Sequence, residues 1–124
     1  MSEETSTLIV DEELILAAVA ARGATLTGSG KAIGPTGQAE AQVVVSDYSS
    51  TPSIVVHIQQ SSDDGVGDAY EDVAVSPTIA PVAAADKKIY RIPFIATEKY
   101  VRAYVVAADG DSITYGVYVT TKGN

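Results

Sequence analysis

The sequence contains no cysteine and no tryptophan, and it has one phenylalanine and one histidine. Without cysteine the chain cannot form a disulfide or a thiolate metal site. With His57 as its only histidine, it also lacks the histidine cluster on which most jelly-roll metalloenzymes depend. These absences argue against a disulfide scaffold and against metal-dependent catalysis.

Positive charge is also scarce, since eight basic residues stand against sixteen acidic ones and give a formal charge of −8. An acidic surface repels phosphate backbones, and the adjacent basic pair Lys87-Lys88 is expected only to solvate the entry to a strand. Residues 1–13 are acidic where a signal peptide would be basic, and the apolar run 14–21 is too short to cross a bilayer. We therefore expect synthesis in a cytoplasm, with neither nucleic acid nor membrane as a partner.

The hydrophobic residues make up 46% of the 124 residues and are mainly valine, isoleucine, leucine, alanine and tyrosine. This length and composition fit one domain rich in β-structure. We predict a flexible N-terminal arm over residues 1–7 and a single β-sandwich domain over residues 8–124. Within that domain, residues 14–21 are apolar on every side, which fits a strand buried on both faces, whereas the alanine content and the following Gly23 fit a helix. The residues by themselves leave both open.

Alternating hydrophobic residues and turn residues predict most of the strands. Residues 23–37 hold five glycines and Pro35, which predicts a long loop with one short strand near Lys31 to Ile33. Further strands are predicted at 41–45, 54–59, 70–75 and 88–95, with Pro93 marking an edge or a bulge. Residues 100–106 and 113–120 alternate strictly around an Asp-Gly turn, which predicts a C-terminal hairpin. Seven or eight short strands, with no segment clearly predicted as a helix, indicate an all-β sandwich or barrel.

The residues that could carry chemistry lack the partners they would need. His57 is expected to be an outward strand residue, because no nucleophile or further ligand accompanies it. The acids in residues 62–68 and 109–111 do not match a calcium loop and are expected to form solvated turns. Glu71 and Asp72 are adjacent and so point to opposite faces of a strand, which does not suit paired carboxylates. We expect neither an enzyme nor a cofactor.

Tyrosine is the remaining residue type of functional interest. Tyr100 and Tyr104 share one face of a predicted strand, opposite Val101 and Val105, and could form a small outward patch. Exposed tyrosine is enriched at protein interfaces. Cross-strand packing over the sheet surface is the alternative interpretation of the same residues.

The order of these features resembles a known family. An apolar segment after a short acidic motif leads into a glycine-rich stretch with Ala32-Ile33-Gly34, and strands and an Asp-rich turn follow. The chain closes with residues 98–106, reading Glu-Lys-Tyr-Val-Arg-Ala-Tyr-Val-Val, and with residues 111–117, reading Asp-Ser-Ile-Thr-Tyr-Gly-Val. Over residues 8–121 this layout is similar to the small jelly-roll decoration, or cement, proteins of tailed bacteriophage capsids.

The resemblance implies a jelly-roll-like β-sandwich of seven or eight antiparallel strands on the outer surface of a virion. Its partners would be an HK97-like phage major capsid protein and, commonly, a second copy in a homodimer. The family has no catalytic motif to transfer. The expected contact residues come from the apolar residues that follow the arm, from the glycine-rich loop and from the tyrosine face, and they are Leu8, Ile9, Val10, Lys31, Ile33, Tyr100 and Tyr104.

Two other classes of function compete with this interpretation. A glycan-binding or adhesin-type β-sandwich would use aromatic platforms, for which Tyr100 and Tyr104 are the candidates, although the lack of tryptophan counts against it. A metal-dependent jelly-roll enzyme would need more histidines than His57.

Overall fold

The computed structural model describes residues 14–108 and 110–121, so the predicted arm and Leu8, Ile9 and Val10 lie outside the described residues. The described residues form eight strands, at β1 Ile15–Arg22, β2 Leu26–Thr27, β3 Gly37–Tyr48, β4 Ile54–Ser61, β5 Glu71–Val75, β6 Ile89–Ala96, β7 Tyr100–Ala107 and β8 Ile113–Thr121. The described ranges contain no α-helix, and a 3₁₀ turn lies at Ala84–Asp86. The all-β prediction is confirmed, and the segment left open between strand and helix forms strand β1.

The strands form two four-stranded antiparallel sheets, which face each other as a sandwich. The first sheet has the order β1-β8-β3-β6 and the second the order β2-β7-β4-β5. Strands of the first half of the chain therefore pair with strands of the second half, β1 with β8, β2 with β7, β3 with β6 and β4 with β5. Eight strands wrapped in this way are a jelly roll, so the predicted fold class is confirmed.

Aliphatic side chains from the two inner faces fill the space between the sheets. Val43 and Val117 of the first sheet and Val56 and Val101 of the second are fully buried. The predicted alternation of Ile54, Val56 and Ile58 is confirmed, because all three are buried while the residues between them are partly exposed. Period-two patterning therefore assigned the inner and outer faces correctly.

The predicted C-terminal hairpin is wrong. β7 and β8 follow each other in the chain, but they lie in different sheets and pair with other strands. The turn between them carries the chain across the sandwich, so that the buried faces of the two strands look toward each other. Alternation shows which side chains are buried, but it does not show which strand lies alongside.

The glycine-rich segment 23–37 is ordered along β7, where the sequence predicts a long loop. Its two-residue strand lies at Leu26–Thr27 rather than at Lys31 to Ile33, and Lys31 forms a single bridge with Val101. The backbone N–H of Gly34 also donates a hydrogen bond to the carbonyl oxygen of Lys99 at 2.9 Å. A Cβ atom at Gly34 would collide with the carbonyl oxygen of Glu98, which explains the need for glycine where the segment crosses so closely.

Two strand predictions are refined by the structure. β3 runs to Tyr48 and begins at Gly37, well before the predicted start at Ala41, because it pairs with β6 from Gly37 onward and with β8 as far as Tyr48. Pro93 lies in β6, the outer strand of that sheet, so its predicted edge position is confirmed. Within the described ranges no helix has the length and hydropathy that a membrane span requires.

Candidate functional site

The outer face of the first sheet carries an apolar row that crosses all four of its strands. Ile89 of β6 lies opposite Val44 of β3, and Val44 lies opposite Gly116 of β8. The side chain of Val19 in β1 covers Gly116, since a Cβ atom built there would lie 2.7 Å from Cγ2 of Val19. Ile89 and Val19, at the two ends of this apolar row, remain 43% and 45% exposed.

The apolar row is bordered by a polar network and by a shallow pocket. Arg91 forms an ion pair with Glu40 at 2.9 Å, and the amide of Gln42 donates a hydrogen bond to the same carboxylate at 3.0 Å. Beyond this network, at the edge of the sandwich, Pro93 and Ile95 line a pocket of about 550 Å³ together with Val73 of β5. The outer face of the first sheet thus combines exposed aliphatic area with few charges, a composition typical of the centre of a protein interface.

At the β1 end of this face, Arg22 bridges a bulge between β1 and β8. The pairing of these strands shifts register between Ala17 and Ala20. The guanidinium of Arg22 donates hydrogen bonds to the carbonyl oxygens of Ala18 at 2.6 Å and of Tyr115 at 2.8 Å. Burial raises the pKa of the Tyr115 hydroxyl, and the nearby positive charge of Arg22 partly opposes that rise.

The outer face of the second sheet has a different chemistry, dominated by hydrogen-bonded polar side chains. Nδ1 of His57 lies 3.1 Å from a carboxylate oxygen of Asp72, and the edge of its ring meets Tyr104 with 5.7 Å between ring centres. Gln59 links this pair to Arg102, donating to Asp72 at 2.9 Å and accepting from Nε of Arg102 at 2.9 Å. Burial alone would raise the pKa of Asp72, but the hydrogen bonds from Gln59 and His57 and the charge of His57 lower it overall.

Two tyrosine rings near this face, those of Tyr70 and Tyr100, each have a cation over one side. The guanidinium carbon of Arg102 lies 4.0 Å from the ring centre of Tyr70, and Nζ of Lys99 lies 5.4 Å from that of Tyr100. The hydroxyl of Tyr70 donates to the carboxylate of Asp64 at 2.6 Å, and burial together with that carboxylate raises the pKa of Tyr70. The side of each of these two rings that faces the cation is therefore closed to stacking.

The Asp-rich connection between β4 and β5 is a hydrogen-bonded turn. The carboxylate of Asp63 accepts the backbone N–H groups of Gly67 at 2.7 Å and Asp68 at 3.0 Å. Hydrogen bonds from Asp68 and Gly67 lower the pKa of Asp63. Asp64 and Gly65 take the left-handed backbone conformation that such a turn requires, with φ of 61° and 82°. In the part of the chain that the structure describes, no group of three or more His, Cys, Asp or Glu residues is placed to hold a metal ion.

The sequence-predicted contact residues that the structure describes lie in β7 or in the segment that runs beside it. Tyr100 and Tyr104 lie partly exposed on the outer face of the second sheet, as their alternation with Val101 and Val105 predicts. Lys31 is bridged to β7, and Ile33 packs partly buried against the core. The 31–34 segment therefore runs beside the start of β7, where Tyr100 lies. The role of these residues as contacts stays a prediction.

The apolar row is the feature that sequence patterning misses. Its members come from four strands that are far apart in the chain, and only the sheet order aligns them. The signal in the sequence is weak, because each strand contributes a single small or aliphatic outward residue. In contrast, the opposite orientations predicted for Glu71 and Asp72 are confirmed, since Glu71 bonds to the buried Gln60 and Asp72 to the outward Gln59.

No protein-family model matches the chain, and no curated protein matches it either. Among solved structures, it is similar to the N-terminal CBM22-1 and GH10 modules of the Clostridium thermocellum endo-1,4-β-D-xylanase 10B, which were solved in complex with xylohexaose. The two chains are 18% identical, with a TM-score of 0.46, over 73% of this chain and 17% of the xylanase chain. At this similarity the match carries no inference about function.

Proposed function

We propose that the chain is a structural virion protein, a decoration or cement protein that binds the outer surface of an HK97-like phage capsid and stabilises contacts between capsomers. The observation that carries the proposal is the apolar row on the outer face of the first sheet. It offers aliphatic area on a rigid, four-stranded surface, which suits binding to another folded protein.

The distribution of charge supports the first sheet, rather than the second, as the face that meets the shell. On the first sheet, the carboxylate of Glu40 beside the apolar row already binds Arg91 and Gln42. A partner that covers this face therefore does not bury that carboxylate without an opposite charge. The second sheet presents a network of hydrogen-bonded polar side chains around His57 and Arg102 instead. We therefore assign the first sheet to the shell and the second sheet to solvent.

Binding to a shell does not require a strong single contact. A capsid presents many identical sites, so a decoration protein with more than one copy gains affinity through avidity. The apolar row needs only to give shape fit and desolvation at each site, and no catalytic group is involved. This mode of binding agrees with the two outer faces, on which the charged and polar side chains described above already form hydrogen bonds and ion pairs with one another.

The test compares two matched pairs of substitutions on opposite faces. Val44→Thr with Ile89→Thr removes the apolar character of a cross-strand pair within the row while keeping β-branched residues. Binding is measured by co-sedimentation with shells assembled from the major capsid protein encoded in the same genome. We expect the apparent Kd to rise more than tenfold, because losing about 1.4 kcal/mol of binding free energy already has that effect.

The control is the corresponding pair on the second sheet. Val55 lies opposite Val106 on the outer face there, so Val55→Thr with Val106→Thr makes the same chemical change on the face assigned to solvent. The proposal expects this variant to bind shells as the unmodified chain does. If only the control variant loses binding, the shell contacts the second sheet, on the face of Tyr100 and Tyr104. If the unmodified chain does not sediment with shells, the proposal is overturned.

A glycan-binding module is the second candidate, and the outer face of the second sheet is the observation that favours it. Tyr104, His57, Gln59 and Arg102 place aromatic and hydrogen-bonding groups side by side, as sugar sites do. A glycan array gives the deciding result. Specific glycan binding that Tyr104→Ala abolishes, in a chain that does not bind shells, would establish this function instead.

A further inference from the structure

The recess beside β6, called the β6 pocket below, has a volume of about 550 Å³. β6 is the edge of the first sheet opposite β1, and the walls of the pocket come from β3 and β6, with Val73 contributed by β5 of the second sheet. Its lining residues are Gln38, Ala39, Glu40, Val73, Pro93, Phe94 and Ile95. A volume of this size is within the range of pockets that bind a small ligand.

One wall of the β6 pocket is apolar and accessible to a partner. Phe94 and Ala39 are buried, whereas Ile95 remains 56% exposed and Pro93 is exposed beside it. An aliphatic chain laid over Pro93 and Ile95 would remove apolar surface of both molecules from water, which favours binding.

The opposite wall is polar and lies one strand away. In the pairing of β3 with β6, Gln38 lies opposite Ile95, and Glu40 lies opposite Pro93. Side chains of directly paired residues are close neighbours, with Cβ atoms about 4.5–5.5 Å apart. An occupant that covers the apolar wall is therefore within hydrogen-bonding reach of an amide and a carboxylate.

The hydrogen-bonding groups of this lining are mainly acceptors. The carboxylate of Glu40 only accepts, and Pro93 has a carbonyl group but no backbone N–H. Gln38 is the lining side chain that can also donate, and among the described residues that line the pocket none is basic. An occupant rich in donors and without acceptors suits such a lining. A guanidinium group has five N–H donors and no acceptor, and in arginine it is carried on an aliphatic stem.

The carboxylate of Glu40 is already held in place. Its side chain is 20% exposed, and it binds Arg91 at 2.9 Å and the amide of Gln42 at 3.0 Å. A carboxylate has about four acceptor positions, so a second guanidinium can share it with Arg91. The positive charge of Arg91 opposes this binding, whereas the net charge of −8 on the whole chain attracts a basic partner surface.

The lining and the charge of the β6 pocket point to one occupant. We propose that the pocket binds an arginine side chain that projects from the protein partner, with the stem over Pro93 and Ile95 and the guanidinium donating to Glu40. The proposal deepens the proposed function and rests on it for the identity of the partner. In this arrangement the apolar row supplies contact area, and the directional pairing of guanidinium with carboxylate fixes the register of the two surfaces.

The test titrates the unmodified chain with Nα-acetyl-arginine methylamide, which carries the side chain without terminal charges. NMR of the isotope-labelled protein follows the backbone amides of Gln38, Glu40, Phe94 and Ile95. The citrulline, lysine and norleucine derivatives are titrated in parallel, because they remove the charge, the planar set of donors and every polar group of the side chain, respectively. We expect shifts at these four amides and a Kd for the arginine derivative at least about fivefold below the others. Equal affinity for any other derivative, or no shift at these amides, would overturn the proposal.

Two substitutions should move the Kd of the arginine derivative in opposite directions. Glu40→Gln should raise it at least about fivefold, because the charged acceptor is lost. Arg91→Gln should lower it, because the cation that shares the carboxylate is removed. The matched control is Asp47→Asn, which changes another ion-paired carboxylate of β3, 3.6 Å from Lys87, and should have no effect. A Kd that does not rise in the first variant, or does not fall in the second, would contradict the proposed occupant.

Co-sedimentation with shells separates this proposal from the proposed function. Glu40→Gln should raise the apparent Kd for shells at least about fivefold, and Asp47→Asn should not. If the unmodified chain binds shells and Glu40→Gln binds them equally well, the arginine contact is refuted while the shell-binding function stands. If the unmodified chain does not bind shells, the proposed function fails, and the titration without shells still decides whether the pocket selects a guanidinium.

Discussion

Gly116 is the residue on which the β1 end of the apolar row depends. It lies in β8 on the outer side of the sheet, and it is buried because Val19 and Tyr118 cover it. A Cβ atom there would lie 2.7 Å from Cγ2 of Val19 and 3.1 Å from its backbone nitrogen. The backbone nitrogen cannot move without disturbing the pairing of β1 with β8. A glycine at this position therefore reflects close strand packing.

We expect Gly116→Ala to lower the free energy of unfolding by about 1–3 kcal/mol, the usual cost of overpacking a tight contact. Urea unfolding measures the change. In a Val19→Ala background the cost should be smaller, because the nearest side-chain atom is gone. Gly110→Ala, whose Cβ atom would meet nothing within 4 Å, serves as the control, with an expected change within about 0.5 kcal/mol. Equal effects of the two glycine substitutions would contradict this account of Gly116.

At the scale of elements, Gln60 joins β4 to the connection between β6 and β7. Its side chain is 6% exposed, and its oxygen accepts the backbone N–H groups of Thr97 at 2.8 Å and Glu98 at 3.2 Å. Its amide donates to Glu71 at the start of β5 at 3.0 Å. One buried polar side chain thus connects β4, the start of β5 and the segment between β6 and β7.

Replacing Gln60 should loosen this connection. Gln60→Ala leaves the two backbone donors without their acceptor, and we expect a loss of about 1–3 kcal/mol in the free energy of unfolding. Hydrogen exchange at Thr97 and Glu98 should accelerate in the same variant. The matched control is Gln38→Ala on exposed β3 surface, which should change the free energy by no more than about 0.5 kcal/mol. An unchanged rate of hydrogen exchange at Thr97 would argue against this role of the Gln60 side chain.

For the whole molecule, the titration of carboxyl groups determines how the free energy of unfolding depends on pH. Backbone N–H groups bind the carboxylates of Asp63 and Asp86 and lower the pKa of each below the ordinary value of 3.8. The unfolded chain therefore takes up protons at these residues before the folded chain does. Their contribution to stability is complete above pH 3.8 and is lost as the pH falls through the lower pKa values of the folded state.

We expect the free energy of unfolding to decline below about pH 4, as measured by urea unfolding between about pH 3 and pH 6. Asp63→Asn with Asp86→Asn should reduce the slope of that decline, because two of the groups responsible are removed. Ser62→Ala, in the same turn as Asp63 but without a titratable group, should leave the slope unchanged. A slope that the double variant does not alter would show that other carboxyls control acid stability.

The C-terminal strands show both the success and the failure of sequence patterning. Alternation alone assigns Val101 and Val117 to the core and Tyr104 to the surface, and the fold confirms all three positions. The same alternation suggests a hairpin, because an Asp-Gly turn between two amphipathic strands is equally compatible with a crossing between sheets. Local turn chemistry specifies a change of direction, whereas strand partners depend on contacts far along the chain.

The sequence by itself determined that this chain is all-β, which residues face its core, and that the chain lacks cysteine and a histidine cluster. These properties depend on side-chain type and a two-residue period, both of which are local. The tertiary structure decided the sheet order, the ordered path of residues 23–37 along β7 and the alignment of Ile89, Val44, Gly116 and Val19. That alignment exists because strands separated by up to about a hundred residues are brought into register by the jelly-roll wrapping. No local pattern records such pairings, and for this reason the candidate interface became visible only in the folded chain.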